Sequence, residues 1–251
     1  TLCAITYNIF GMNIFDSITH SMTTIATGGF SNYNQSIGFF NSLAIEIVAM
    51  VFIILGSVPF IVYIKFLNGN KSIFTSDSQI KTFMKVIFIS VIILSVYLSL
   101  KNLDSFNLRS IFFNVISILT GTGYTSTNYN NWGSFGLVIM IIIMFIGGCA
   151  GSTTGGIKVF RLQLLFRGAK TQIKSLTQPH GVFVTSFNGR TVTDETFNSI
   201  MGFFFMYILT FIFASIALSF FNLDFLTSFS AAASAISNVG PGLGNLIGPN
   251  S

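Results

Sequence analysis

The apolar runs of this chain set the terms of any fold it can adopt: residues 39–66, 84–100, 133–146 and 197–221 are almost uninterrupted by charge. A helix needs roughly 20 apolar residues to cross about 30 Å of hydrocarbon, so repeated runs of this kind imply several membrane crossings. They show little of the amphipathic alternation that a soluble protein uses to keep polar faces toward water. Only 8% of the 251 residues are charged, against roughly 25% in an ordinary soluble domain. The expected fold class is an all-α, multi-pass membrane protein with lipid as its main solvent.

The formal charge of +5 is unevenly placed. Lys65, Lys71, Lys81 and Lys85 bracket one link between apolar runs, and Lys158, Arg161, Arg167, Lys170, Lys174 and Arg190 crowd another. Basic links face the cytoplasm, which predicts a protein of the cell membrane, the inner membrane if the source is Gram-negative. The clusters flank spans and do not alternate with aromatics in a polar domain, so nucleic acid is not an expected partner. Cys3 and Cys149 lack paired spacing, and His20 and His180 stand apart from each other and from any carboxylate cluster. Neither a disulfide framework nor a resident metal site is expected. No nucleophile, base and acid converge, so the expectation is a non-enzyme. Thr1 opens inside an apolar segment without a basic leader, and 245–251 directly follow a glycine-rich loop. Both ends therefore read as cut.

Three shorter stretches share one plan of short helix, glycine-containing loop and polar exit. They run 16–31, 110–125 and 227–242, and aligning them on Gly29, Gly123 and Gly240 puts Asp16, Ser110 and Thr227 at one offset, thirteen residues upstream. These three are the expected N-caps. The dozen or so residues that follow make a helix of roughly 18 Å, about half a membrane crossing. Irregular backbone at that depth is tolerated only where protein or a wet cavity covers it, which a re-entrant pore loop provides. Small-residue loops also serve close helix packing, but three in register between full spans favour a pore. The chain then divides into units of outer helix, pore helix and inner helix: 1–66 with a truncated outer helix, 67–192, and 193–251 without its last inner helix. In this scheme 39–66 is one inner helix, 80–100 and 197–221 are outer helices, and 132–174 is a long inner helix. The exits Asn32-Tyr33-Asn34-Gln35 and Asn128-Tyr129-Asn130-Asn131 suit an external vestibule.

A dehydrated potassium ion is matched by neutral backbone carbonyls, which replace its water without trapping it as a full charge would. Glycine allows the dihedrals that aim consecutive carbonyls at an axis. The candidate segments are Thr27-Gly28-Gly29, Gly121-Thr122-Gly123 and Asn238-Val239-Gly240, none of which contains a carboxylate. Potassium at these residues is then a substrate, and no covalently bound cofactor is expected. The stretches Ala26-Thr27-Gly28-Gly29-Phe30-Ser31, Thr120-Gly121-Thr122-Gly123-Tyr124-Thr125 and Ser237-Asn238-Val239-Gly240-Pro241-Gly242-Leu243-Gly244 resemble the second, third and fourth filter loops of the TrkH family, in the Trk/Ktr/HKT superfamily of potassium uptake proteins. That resemblance implies a potassium-channel-like ring of four pore units with pseudo-fourfold arrangement, each keeping one recurrent glycine, with the first filter loop upstream of Thr1.

The segment Gly147-Gly148-Cys149-Ala150-Gly151-Ser152-Thr153-Thr154-Gly155-Gly156 interrupts the helix expected over 132–174. It superficially resembles a phosphate-binding loop ending in Lys158, yet lacks the residue order and the preceding strand. Gly151 and Gly155 have the spacing of a tight helix crossing, but that leaves the hydroxyls at membrane depth unexplained. By its resemblance to the intramembrane loop of the third inner helix in the TrkH family, the segment is the gate under the filter. The same resemblance implies a homodimer, and a cytosolic nucleotide-binding regulatory subunit of TrkA type near Lys158, Arg161 and the basic residues beyond. The forms of these loops fit TrkH more than KtrB. The alternative is a secondary transporter that couples potassium to protons or sodium by alternating access; its coupling residue could only be Glu46, the one ionisable group inside a main span.

Overall fold

A computed structural model describes residues 1–101, 106–178, 181, 183–188, 190–244 and 246–249. His180 lies outside the described residues, as do parts of the 245–251 terminus. Among the described residues the regular structure is helical apart from a two-residue antiparallel pair, Ser186–Phe187 with Arg190–Thr191, and one parallel bridge between Ile146 and Ile157. In chain order the helices are α1 (Leu2–Ile9), α2 (Ile14–Ile25), α3 (Leu43–Gly56), α4 (Phe60–Leu67), α5 (Ile73–Ser76) and α6 (Ser78–Leu100). They continue with α7 (Leu108–Leu119), α8 (Gly133–Met144), α9 (Val159–Thr177), α10 (Asp194–Ser219) and α11 (Phe225–Ser237).

Two of these, α6 and α10, are long and apolar enough to cross a membrane, and α3 with α4 makes a third such element bent by 87°. The single inner helix expected over 39–66 is therefore corrected to two. Pro59 has no N–H to give a continuing helix and keeps Val58 out of helical backbone, so the ladder stops at Gly56 and restarts at Phe60. The run 132–174 is split as expected, with α8 ending at Met144 and α9 beginning at Val159.

The long helices and the short ones are built on opposite plans. Away from their first turns, the exposed side chains of α6 and α10 are mostly apolar, including Phe88, Ile92, Val96, Phe205, Ile212 and Ile216. Such a surface is at home in lipid and costly in water. The short helices α2, α7 and α11 instead bury polar stripes at helical spacing: Ser17, His20 and Thr24; Ser110, Asn114 and Ser117; Thr227, Ser230, Ser234 and Ser237. A buried polar stripe must be hydrogen-bonded, and His20, Asn114, Ser117, Ser230 and Ser234 find partners in the glycine loops and their exits.

Packing repeats from unit to unit. Helix α1 lies on α2, α6 on α7 and α10 on α11, while α3 packs against α7 and α8 against α11, so α3 and α8 each support the short helix of the following stretch. At one end of the bundle Glu46, near the start of α3, takes two hydrogen bonds from the Arg109 guanidinium at the start of α7, at 2.7 and 2.9 Å. At the other end Gln163 of α9 donates to Ser78 O at 2.9 Å and to Thr82 Oγ1 at the start of α6. The two basic links thus meet at the same end of the molecule.

Candidate functional site

Each short helix begins three residues before its expected cap. The N-caps are Asn13, Asn107 and Asp224, whose side chains accept from Asp16 N, Arg109 N and Thr227 N. All three lie sixteen residues before the key glycine. Asp16, Ser110 and Thr227 sit in the first turn and are buried. The repeat is in register, and in each copy the cap is the earlier of two capping-type residues, not the expected Asp16, Ser110 or Thr227. The Asp224 carboxylate, in the link between α10 and α11, is held below its ordinary range by hydrogen bonds from the Thr227 hydroxyl and amide.

The C-termini repeat as closely. Thr27 N, Gly121 N and Asn238 N donate to the carbonyls three residues back, at 3.2, 3.0 and 3.3 Å. Gly28 N, Thr122 N and Val239 N donate five residues back, to Thr23 O, Ser117 O and Ser234 O, at 2.7, 2.9 and 2.9 Å. This is the Schellman pattern, with its left-handed residue at Thr27 (φ 51°), Gly121 (φ 71°) and Asn238 (φ 57°). Two residues on, Gly29, Gly123 and Gly240 are again left-handed, at φ 66°, 82° and 106°. In an extended strand successive carbonyls point to opposite sides; alternating the hand of the backbone brings them toward one side. Each of the three candidate segments has this alternation.

One hydroxyl per short helix braces its loop from six residues before the key glycine. Thr23 Oγ1 donates to Phe30 O at 2.9 Å, Ser117 Oγ donates to Tyr124 O at 2.7 Å, and Ser234 Oγ accepts from Gly240 N at 3.0 Å. Tyr124 OH reaches back to the first short helix, donating to His20 O and lying 2.5 Å from Thr23 Oγ1. The His20 ring nitrogens meet Asp16 O and Ser31 Oγ, both at 2.9 Å, one turn along from Asp16. Among the described residues no cluster of histidine, cysteine or carboxylate could hold a resident metal.

The loops touch in sequence order. A Cβ on Gly29 would fall 1.7 Å from Thr122 O, and one on Gly123 would fall 1.9 Å from Val239 O. A Cβ on Gly240 would meet nothing within 4 Å among the described residues. The same step, glycine to the middle residue of the next loop, therefore occurs twice and is open at the third.

The interruption between α8 and α9 lies against the inner ends of all three loops. Thr27 Oγ1 donates to Thr153 Oγ1 at 3.1 Å; Gly155 N is 3.5 Å from a Cβ on Gly121; a Cβ on Gly155 would be 2.2 Å from Ser237 O. Within the segment, Gly147 N donates to Ile157 O and Ile157 N to Phe145 O, both at 2.9 Å, pinching its base into a closed loop. Gly148 N donates to Thr154 Oγ1, Ser152 Oγ to Cys149 O, and Lys158 Nζ to Thr154 O. The hydroxyls of Ser152 and Thr154 are satisfied within the loop and that of Thr153 by Gly56 O and Thr27 Oγ1, while Gly147, Gly151 and Gly156 shape its turns.

The loop also docks on the bend between α3 and α4. Thr153 N donates to Gly56 O at 3.2 Å, Cys149 N to Ser57 O at 3.1 Å, and Phe60 N to Gly151 O at 2.9 Å. These are peptide groups that the two helix breaks leave without intrahelical partners, and each break satisfies the other.

Comparison with known proteins places this arrangement. The sequence model described as "TrkH: Cation transport protein" matches residues 3–250. The chain is 36% identical to the Trk system potassium uptake protein TrkI of Halomonas elongata over 99% of its length and 51% of that protein. It is 34% identical to the Trk system potassium uptake protein TrkH of Escherichia coli, over 96% of this chain and 51% of that one. The crystal structure of the potassium transporter TrkH from Vibrio parahaemolyticus superposes with a TM-score of 0.91 at 32% identity, covering 98% of this chain and 54% of that one. The chain thus spans about half the length of the relatives it matches.

Proposed function

The chain belongs to the TrkH family of cation transport proteins and is a multi-pass membrane protein, and from that premise we propose that it supplies the second to fourth pore units of a potassium uptake protein. Residues 1–66, 67–192 and 193–251 are the three units. Thr27, Gly28, Gly29, Gly121, Thr122, Gly123, Asn238, Val239 and Gly240 form the carbonyl-lined constriction that potassium passes. The observation that carries this reading is the repeated alternation of backbone hand in three loops that touch one another in order. The side left open at Gly240 is where a fourth loop, from a segment outside this chain, closes the ring. Each pore helix also directs its partially negative C-terminus toward the space under the loops, which favours a cation there.

The segment Gly147, Gly148, Gly151, Ser152, Thr153, Thr154, Gly155 and Gly156 acts as the gate, because it blocks the inner side of all three loops. The basic helix α9 that follows it suits contact with a cytosolic nucleotide-binding regulatory subunit of TrkA type, in a homodimeric assembly. The relatives' names speak of potassium uptake, and that substrate is carried over here. Alternating access coupled through Glu46 loses support, since that carboxylate is 3% exposed and committed to Arg109.

The test uses a strain without its own potassium uptake, carrying the full-length protein with Gly123 or with Gly123→Ser. Growth at low potassium with Gly123, and its loss or a relaxation toward sodium with serine, is the expected result. Equal rate and selectivity in the two would return the loops to a packing role.

A further inference from the structure

We infer that Gln79, in the first turn of the outer helix α6, is a positioning residue that holds the 147–156 loop in its seat, and that removing its acceptor frees the loop. The inference rests on reading that loop as the gate. Cys149 and Gly151 are anchored on the bend of α3 and α4 through their peptide groups; Ala150 between them turns the other way, and its N–H donates to Gln79 Oε1 at 2.9 Å. A peptide N–H can only donate, so the amide of Gln79 must present its oxygen here. The base of that side chain is fixed in turn, because Asp77 Oδ1 caps α6 by accepting from Gln79 N at 2.8 Å.

A second glutamine ties the helix that leaves the loop to the same turn. Gln163 of α9 donates to Ser78 O and Thr82 Oγ1, so the loop and the helix after it are each tethered to a single turn of α6 by a neutral amide. The α3–α4 seat is made by three peptide hydrogen bonds that no side-chain substitution removes, with Thr153 Oγ1 adding one to Gly56 O. Gln79 is a contact outside the three glycine loops that a single substitution can cut without altering the 147–156 loop or the bend.

The experiment compares Gln79→Met, of similar length without an acceptor, with Gln79→Glu, which keeps one. In proteoliposomes of the full-length protein without its regulatory subunit, Gln79→Met should take up rubidium about fivefold faster than wild type, the worth of one hydrogen bond. Gln79→Glu should stay near the wild-type rate, and the preference for rubidium over sodium should hold in both. Cys149, buried in the closed loop, supplies an independent readout. Its labelling by a water-soluble maleimide, followed by mass spectrometry in native membranes before purification, should rise in Gln79→Met and not in Gln79→Glu. Wild-type uptake and wild-type labelling in Gln79→Met would overturn the inference. Raised labelling with no rubidium flux even in the wild type would uphold Gln79 as the tether and sink the transport reading instead.

Discussion

At the scale of single residues, the hydroxyls six positions before Gly29, Gly123 and Gly240 do one job in three copies. The Ser117 bond to Tyr124 O is the buried one of the three, and removing it leaves a buried backbone carbonyl without its partner, which costs about 1–3 kcal/mol. Ser117→Ala should therefore loosen the Tyr124 carbonyl, lowering the ratio of potassium to sodium uptake while the protein still reaches the membrane; tracer competition measures it. Thr27 invites a second substitution. A β-branched residue at φ 51° is strained by about 1–3 kcal/mol, whereas the other two loops place glycine and asparagine there. Thr27→Gly relieves that strain but deletes the hydroxyl on Thr153. The expected result is an unchanged or higher melting temperature together with faster basal uptake, read by thermal unfolding and rubidium flux on the same preparation. These residues were only partly legible beforehand. The glycines announce themselves by spacing, whereas the bracing hydroxyls look like ordinary polar residues of a short helix until their hydrogen bonds show that they face the loops.

At the scale of elements, the repeat could be read from sequence to within one turn. Asp16, Ser110 and Thr227 share an offset and a capping chemistry, and so do Asn13, Asn107 and Asp224 three residues earlier; spacing alone does not choose between two such sets. The bend after α3 was hidden for a different reason. An apolar run through Pro59 looks continuous on hydropathy, and what the proline does depends on whether other groups wait to satisfy the backbone it frees. Those groups belong to a loop almost a hundred residues later. The Glu46 pair was equally invisible, since its partner Arg109 lies at the start of another helix. It joins the inner helix of one unit to the short helix of the next. Arg109→Met leaves the carboxylate buried and unpaired, and should destabilise the protein by about 2 kcal/mol or more, seen as a lower melting temperature in detergent. Glu46→Gln, which keeps a polar partner, should cost less.

At the scale of the whole molecule, the orientation follows from two facts. The basic links meet at one end, joined by the Gln163 contacts, and the Glu46–Arg109 pair marks the other. Single cysteines should then label from opposite sides: one at Lys71 only from the cytoplasm, one at Asn34 only from outside, with a membrane-impermeant reagent in intact cells and in inverted vesicles. Labelling of both from one side would overturn the arrangement of the units. The mutual docking of the two helix breaks has a bearing on ancestry. A fastening made of peptide groups carries no signature in the amino-acid letters, so its flanking side chains are free to drift while the attachment is inherited through the path of the chain. Two descendants could share this joint with little spelling in common around it, and a lineage would lose it chiefly by straightening the turn that Pro59 imposes.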